Sequence, residues 1–272
     1  MQLPPSNGLS HIVKHYLILE CDKNIQLNFR LFTDGNPGMV FHFKEPLVQC
    51  TGNSLAGCSQ PASFVYGQIT EYNDLQSAGR LKMLVVVFQP YSIFTLLHIA
   101  AYELNNSLIK LRDLFGQEAS GLEEQLLHEQ STSHIIAVVE KFLLKKSQYA
   151  RTPGDAFCEA LYLIYKYKGD ITIEGLLEQL PVTERQLERK FREHIGISPK
   201  RFSDITRFQH FLKLFRNQQP KQKVSDAIYE SGYYDQSHLN NYFRKTTGIT
   251  PLQYRFEHQL LANNFMQLSA KA

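Results

Sequence analysis

The chain has 272 residues, of which 43% are hydrophobic and 20% charged, and its formal net charge is +3. This length suits about two domains, and the composition supports a packed core, which excludes a wholly disordered chain. No apolar run approaches the ~18 residues that a membrane-spanning helix needs, and no secretory signal is visible at the start. We therefore expect a cytoplasmic protein without a membrane segment.

Up to about residue 115, short apolar runs alternate with turn residues. Residues 26–32 alternate in polarity, residues 34–38 form a turn cluster, and residues 39–43 predict the next strand. Residues 80–88 are the clearest strand. Short strands at this spacing predict a sandwich or small barrel.

After Pro90 the pattern becomes helical. Residues 91–99 form a short apolar segment, and between 118 and 146 apolar residues recur at spacings of three and four. Residues 155–167 predict another amphipathic helix. The sequence Arg-Thr-Pro-Gly at 151–154 interrupts the pattern and predicts the boundary between two domains.

The C-terminal half repeats itself at an offset of 52 residues, with 187–199 matching 239–251. Leucine, phenylalanine, arginine, glycine, isoleucine and proline recur in register, and Ser198 is matched by Thr250. Such self-similarity indicates a duplicated supersecondary unit.

Each repeat predicts a helix, a tight turn and a second helix. In the first unit, residues 183–186 form a capping box, in which Thr183 and Gln186 bond each other's backbone amides. Leu187 and Phe191 form the apolar stripe of the second helix, which we expect to end at Gly196.

In the second unit, Asp235 can cap a helix that buries Leu239 and Phe243 and ends at Gly248. Ser198-Pro199 and Thr250-Pro251 each predict the start of one more helix. Between the units, a helix of about four turns carries an apolar row at Ile205, Phe208, Leu212 and Phe215.

The outward faces of the two second helices carry polar side chains that can reach DNA bases. In the first unit these are Arg185, Gln186, Glu188, Arg189 and Arg192. In the second unit they are Gln236, Ser237, His238, Asn240, Asn241 and Arg244. Residues 183–223 hold 11 basic and 4 acidic residues, which favours an anionic partner. Two such helices about 34 Å apart would enter successive major grooves of double-stranded DNA.

Residues 171–258 resemble the DNA-binding domain of the AraC family of bacterial transcription regulators. The resemblance rests on residues 232–239, 243–245 and 248–255. It implies two helix-turn-helix units joined by a long helix, binding to promoter DNA, and activation through contact with RNA polymerase. Leu177, Pro181 and Asn241 depart from the family pattern, which has alanine, glycine and arginine there.

Within that resemblance, the first unit is expected to supply most of the affinity. Arg185 and Arg189 are the candidates for base edges, and Arg192 is the candidate for a phosphate. Glu188 can accept a hydrogen bond from a cytosine amine or pair with a neighbouring arginine.

The N-terminal part resembles the cupin-like sensor domain of some family members, on Pro4-Pro5, residues 85–90 and residues 104–116. By analogy, residues 133–146 would form the dimerisation helix, and a small molecule could act as effector. The fold class expected is α+β multidomain, with a β-rich sensor domain over 1–130 and a helical linker over 131–152. An all-α DNA-binding domain follows over 153–258, with units at 171–196 and 223–248, and a tail over 259–272.

Residues for catalysis are sparse, and we expect neither an enzyme nor a cofactor. His42 stands alone in a strand, and His11 and His15 would meet only on a helix. Six aromatic residues could line a small-molecule pocket or fill the core, namely Phe29, Phe32, Phe41, Phe43, Phe64 and Tyr66. The alternatives to a regulator are a cupin-type metal enzyme with a regulatory DNA-binding half and a protein that uses its helices only for partner contact.

Overall fold

The computed structural model describes residues 1–50, 57–129, 131–150, 153–217, 224–233, 235–256, 259–262 and 264–268. A β-rich N-terminal part with two sheets precedes a helical C-terminal part, which confirms the α+β multidomain class. Of the predicted boundary at 151–154, Arg151 and Thr152 lie outside the described residues.

The strands pair with their neighbours in an antiparallel sense. In chain order they are β1 Gln2–Leu3, β2 Val13–Cys21, β3 Asn28–Leu31, β4 Gly38–His42, β5 Leu47–Cys50, β6 Cys58–Ser59, β7 Ser63–Tyr66, β8 Asn73–Ser77, β9 Leu81–Phe88, β10 Leu108–Lys110, β11 Gln259–Ala262 and β12 Phe265–Leu268. Sheet A has the order β1-β2-β9-β4-β7-β10, and sheet B has the order β11-β12-β3-β8-β5-β6.

The helices follow the apolar spacings of the sequence. In chain order they are α1 Ser92–Leu97, α2 Leu111–Phe115, α3 Gln117–Leu127, α4 Thr132–Ser147, α5 Asp155–Lys166, α6 Ile173–Leu177, α7 Glu184–His194, α8 Pro199–Asn217, α9 Val224–Glu230, α10 Gln236–Thr247 and α11 Pro251–Phe256. Two 3-10 turns, Asn7–Leu9 and Ala101–Leu104, complete the N-terminal part. None of the helices within the described ranges is long and apolar enough to cross a membrane.

Strand β9 is buried on both faces, which explains its continuous apolar run. Leu84 and Val86 face a core shared with α1 to α4, whereas Met83 and Val85 face the core between sheets A and B. Alternate residues of a strand point to opposite faces, so β9 joins the two cores of the N-terminal part.

Helix α4 includes the segment 133–146 that the sequence suggested for dimerisation. Its residues Ile135, Val139 and Leu143 are buried in the core on the helical side of sheet A. This apolar stripe therefore stabilises the chain's own N-terminal part. A role of α4 in dimerisation stays a prediction.

Helix α8 links the two helix-turn-helix units by contributing to both of their cores. Phe202 and Ile205 pack with the first unit, and Phe208 and Phe215 pack with the second. The apolar row that the sequence predicted for this helix is buried. Phe211, which the prediction did not include, is also fully buried beside Phe208.

The segment after α11, for which the sequence predicted only a tail, contains the hairpin of β11 and β12. Strand β12 pairs with β3 at the edge of sheet B, with Phe265 opposite Leu31 and Leu268 opposite Asn28. Residues 257, 258, 263 and 269–272 lie outside the described residues. The chain thus returns from its helical part to its first sheet-B strand.

Candidate nucleic-acid interface

Helix α7 begins and ends where its local sequence predicts. The backbone N–H of Gln186 donates to Thr183 Oγ1 at 3.3 Å, and the Thr183 N–H donates to Gln186 Oε1 at 2.9 Å, which completes the capping box. At the other end, Gly196 has a φ of +96°, and its N–H bonds the Arg192 carbonyl at 3.0 Å. Leu187 and Phe191 are buried, so the opposite face of the helix is turned outward.

The predicted DNA-contacting side chains of the first unit lie on that outward face. Arg185, Gln186, Arg189 and Arg192 are exposed, and Glu188 is half-buried. Within the described part of the chain, the ion pair recorded on α7 joins Lys190 to Glu193 at 4.0 Å, and no carboxylate is paired with Arg185 or Arg189. Glu188 makes no ion pair with a neighbouring arginine among these residues, so that alternative is not realised. The structure thus presents exposed cations on one helical face.

Helix α10 is built in the same way. Asp235 Oδ1 accepts a hydrogen bond from the Ser237 N–H at 2.8 Å, and Gly248, with a φ of +73°, ends the helix. Leu239 and Phe243 are fully buried. The outward residues are therefore those predicted, with Gln236, Ser237, His238, Asn241 and Arg244 exposed and Asn240 half-buried. Tyr234 lies outside the described residues.

The N-terminal part contacts α7 next to its outward face, which the sequence did not predict. The Asn105 side-chain Nδ2 donates to the Gly196 carbonyl at 2.7 Å. The Arg192 guanidinium lies 5.8 Å from the centre of the Tyr102 ring. Ala100 and Tyr102 form one side of a concave surface whose other side is the outward face of α7. A duplex on α7 would therefore also approach the turn Ala101–Leu104.

His194, at the end of α7, is a buried histidine whose pKa is strongly lowered. Its buried ring lies between Phe94 of α1 and Phe157 of α5, at centroid distances of 4.1 and 4.6 Å. Its pKa is lowered from 6.5 to about 4, mainly by burial and also by the nearby Lys190, whereas Glu193 acts in the opposite direction. Sequence patterns place His194 next to the apolar stripe but cannot show which rings enclose it.

A cavity lies between sheets A and B, with an empty volume of about 900 Å³ including its open mouth. Most of its lining is apolar, including Leu75, Val85 and Phe265. Of the six aromatic candidates, Phe64 and Tyr66 line this cavity. Phe29 and Phe41 are core residues, Phe43 is partly buried against the core, and Phe32 packs in the second helix-turn-helix unit. Both alternatives for the aromatic residues are thus realised by different members.

The histidines considered as metal ligands have other roles. His42 Nε2 lies 3.1 Å from Gln60 Oε1, in a hydrogen bond. The helical arrangement considered for His11 and His15 is not formed, because His15 lies in strand β2 and His11 lies in the turn that precedes this strand. Over the ranges that the structure describes, no three His, Cys, Asp or Glu side chains gather as metal ligands.

The fold and the two outward-facing helices define a two-domain helix-turn-helix protein. A family model described as "Helix-turn-helix domain" matches residues 176–256, and a domain of unknown function (DUF6597) matches residues 1–110. The cupin assignment of the N-terminal part stays a prediction.

Sequence relatives are transcription regulators. The HTH-type transcriptional activator RhaS from Escherichia coli is 21% identical over 159 residues, which are 57% of this chain and 56% of RhaS. An uncharacterized HTH-type transcriptional regulator from Haemophilus influenzae is 31% identical over 93 residues, or 34% of this chain and 30% of that protein. The chain therefore spans about half the length of the curated relative RhaS.

Among solved structures, ToxT from Vibrio cholerae has a TM-score of 0.51 at 13% identity, covering 89% of this chain and 97% of ToxT. This likeness shows that the two proteins share the two-domain fold. The matched helix-turn-helix domain and the regulator relatives support the resemblance of the C-terminal half to the AraC family of transcription regulators.

Proposed function

We propose that the chain is a sequence-specific DNA-binding transcription regulator that acts as an activator in the cytoplasm and not as an enzyme. The observation that carries this proposal is the pair of capped helices, α7 and α10, each with a buried apolar stripe and an exposed polar face. The similarity to RhaS, a transcriptional activator, supports activation as the direction of control. The comparisons give no support to the metal-enzyme alternative.

In the proposed complex, α7 and α10 enter successive major grooves on one side of the duplex. Arg185 and Arg189 read base edges, and Arg192 contacts a phosphate, because guanidinium groups donate paired hydrogen bonds to guanine and to phosphate. Gln186 and Glu188 lie beside them. The second helix adds Gln236, Ser237, His238, Asn240, Asn241 and Arg244.

The test is selection of duplexes from a random pool by the full-length protein, followed by affinity measurements at several salt concentrations. We expect enrichment of an asymmetric site and a steep salt dependence, with a slope of about −0.9 in log-log form for each phosphate contacted. A pool without enrichment, or an affinity that does not change with salt, would contradict the proposal.

The proposal extends to three partners. The cavity between the sheets is the site for a small-molecule effector, since its mainly apolar lining suits such a ligand. Contact with RNA polymerase and assembly as a homodimer follow from the family resemblance. Sedimentation of the full-length protein measures whether a homodimer forms, and a monomer at all concentrations would contradict the homodimer.

A further inference from the structure

The C-terminal hairpin connects the second helix-turn-helix unit to the wall of the cavity. The Phe32 N–H donates to the Asn264 carbonyl at 3.0 Å, and the Asn264 side-chain Nδ2 donates to the Phe32 carbonyl at 3.1 Å. Together with the pairing of β12 on β3, these bonds hold the end of the chain against the N-terminal part. We call β3 and β12 the shared wall.

The two faces of β12 belong to different parts of the protein. Phe265 stacks on Phe29 at a centroid distance of 5.3 Å and lines the cavity, as do Ala262 and Asn264. The next residue, Met266, is fully buried in the core of the second unit. Adjacent residues of a strand point to opposite faces but share one backbone. A movement of β12 that displaces Phe265 therefore also displaces Met266.

Strand β3 and the residue that follows it, Phe32, are divided in the same way. Leu31 lines the cavity, whereas Phe32 packs against Phe208 and Tyr254, both at 6.3 Å between ring centres. The Arg30 side chain also points away from the cavity. Its Nη1 donates at 3.1 Å to the carbonyl of Thr247, the last residue of α10.

Arg30 is held in place by a second partner on sheet B. Its Nε and Nη2 donate to the two Asp74 carboxylate oxygens at 2.6 and 2.7 Å. A cation at the C-terminal end of a helix is favoured by the helix dipole. The shared wall therefore touches α10 at its end and the second unit at its core.

We propose that the shared wall couples the cavity to α10, so that a ligand in the cavity controls how the second recognition helix is held. This inference rests on the proposed function and names the regulation of that same site. The ligand is a small, mainly apolar molecule that contacts Leu31 and Phe265. When the ligand displaces Leu31 or Phe265, the displacement reaches Met266 and Phe32 on the opposite face, because packed interiors transmit strain.

The test is hydrogen exchange of the full-length protein without DNA, comparing Phe265→Leu with the matched control Phe41→Leu. Phe41 is a buried phenylalanine of β4 on the helical side of sheet A. We expect the amides of α10 to exchange about tenfold faster in Phe265→Leu than in the wild type, through local opening. In Phe41→Leu, α10 should exchange at the wild-type rate, and α7 should be unchanged in both variants.

Asn264→Ala provides a milder test, because it removes the side-chain bond to Phe32 and leaves the apolar packing in place. It should also accelerate exchange in α10. Equal exchange of α10 in the Phe265 and Phe41 variants, or no change in either, would overturn the coupling. Because no DNA is present, this outcome is separate from a failure of duplex selection. With a selected duplex, the coupling further requires that Phe265→Leu alter affinity and Phe41→Leu leave it unchanged.

Discussion

Arg189 is the residue whose role in DNA recognition can be tested most directly. It lies exposed at the middle of the outward face of α7, and no carboxylate among the described residues is paired with it. Its side chain can thus turn towards a base without breaking an internal ion pair. We predict that Arg189→Ala weakens binding to the selected duplex by about 1–3 kcal/mol, because a bidentate contact to guanine is lost.

Lys145→Ala is the matched control for Arg189→Ala. Lys145 lies on α4 and pairs with Glu118 at 2.8 Å, and its removal changes the net charge of the chain by the same amount. We expect it to leave the affinity nearly unchanged in a fluorescence anisotropy titration. Equal losses of affinity for the two variants would show that the loss comes from the change in net charge, and would contradict a base contact by Arg189.

His194 makes the stability of the chain depend on pH. The folded state holds its imidazole neutral down to a pKa of about 4, whereas the unfolded chain takes up the proton near 6.5. The unfolded state therefore binds more protons in this interval, and stability falls as the pH drops from 6.5 towards 4. We predict that His194 contributes a loss of about 1–3 kcal/mol over this interval.

The contribution of His194 is isolated by comparison with His194→Phe, which keeps an aromatic ring between Phe94 and Phe157. Carboxylates titrate in both proteins over this range, so only the difference between them reports on His194. Urea unfolding at neutral pH and near pH 5 gives that difference. A wild type and variant that lose equal stability on acidification would refute the prediction.

At the level of elements, the capping boxes are local devices that the sequence shows directly. Thr250 repeats the box of Thr183, since the Gln253 N–H donates to Thr250 Oγ1 at 3.2 Å and Gln253 Oε1 accepts from the Thr250 N–H at 3.0 Å. These bonds join residues three positions apart. The starts of α7 and α11 could therefore be predicted without knowledge of the tertiary structure.

We predict that Thr183→Ala lowers the free energy of unfolding by about 1 kcal/mol, because the Gln186 N–H at the start of α7 loses the hydroxyl that caps it. Ser131→Ala is the control, since Ser131 precedes α4 without a side-chain capping bond. Thermal or urea unfolding measures both. A loss for Ser131→Ala as large as that for Thr183→Ala would mean that the box does not stabilise α7.

At the level of the whole molecule, the charge of the cavity determines which ligands it favours. Asp34 is a carboxylate in its lining, and no lysine or arginine occurs among the described lining residues. Burial lowers the pKa of His15, also in the lining, so its ring is neutral near pH 7. Transfer of an anion into such surroundings is unfavourable, whereas Asp34 can stabilise a cation.

We therefore predict that the full-length protein binds phenethylamine at least about tenfold more tightly than phenylacetate, which has a similar apolar body and the opposite charge. Isothermal titration calorimetry measures both. Asp34→Asn should abolish the preference while keeping the oxygen that accepts the Asn36 N–H at 3.0 Å. Tighter binding of phenylacetate would contradict this assignment.

The sequence by itself determined the strands β3, β4 and β9, the duplicated helix-turn-helix units, and the faces of α7 and α10. Each of these follows from spacings and caps within a few residues, where the local chain decides the conformation. The tertiary structure alone decided that β12 completes sheet B and that His194 lies between two phenylalanines. Asn264 and Phe32 are 232 residues apart, and no local pattern specifies a contact over that separation. Such pairings form because edge strands and apolar faces must be covered once the chain is folded.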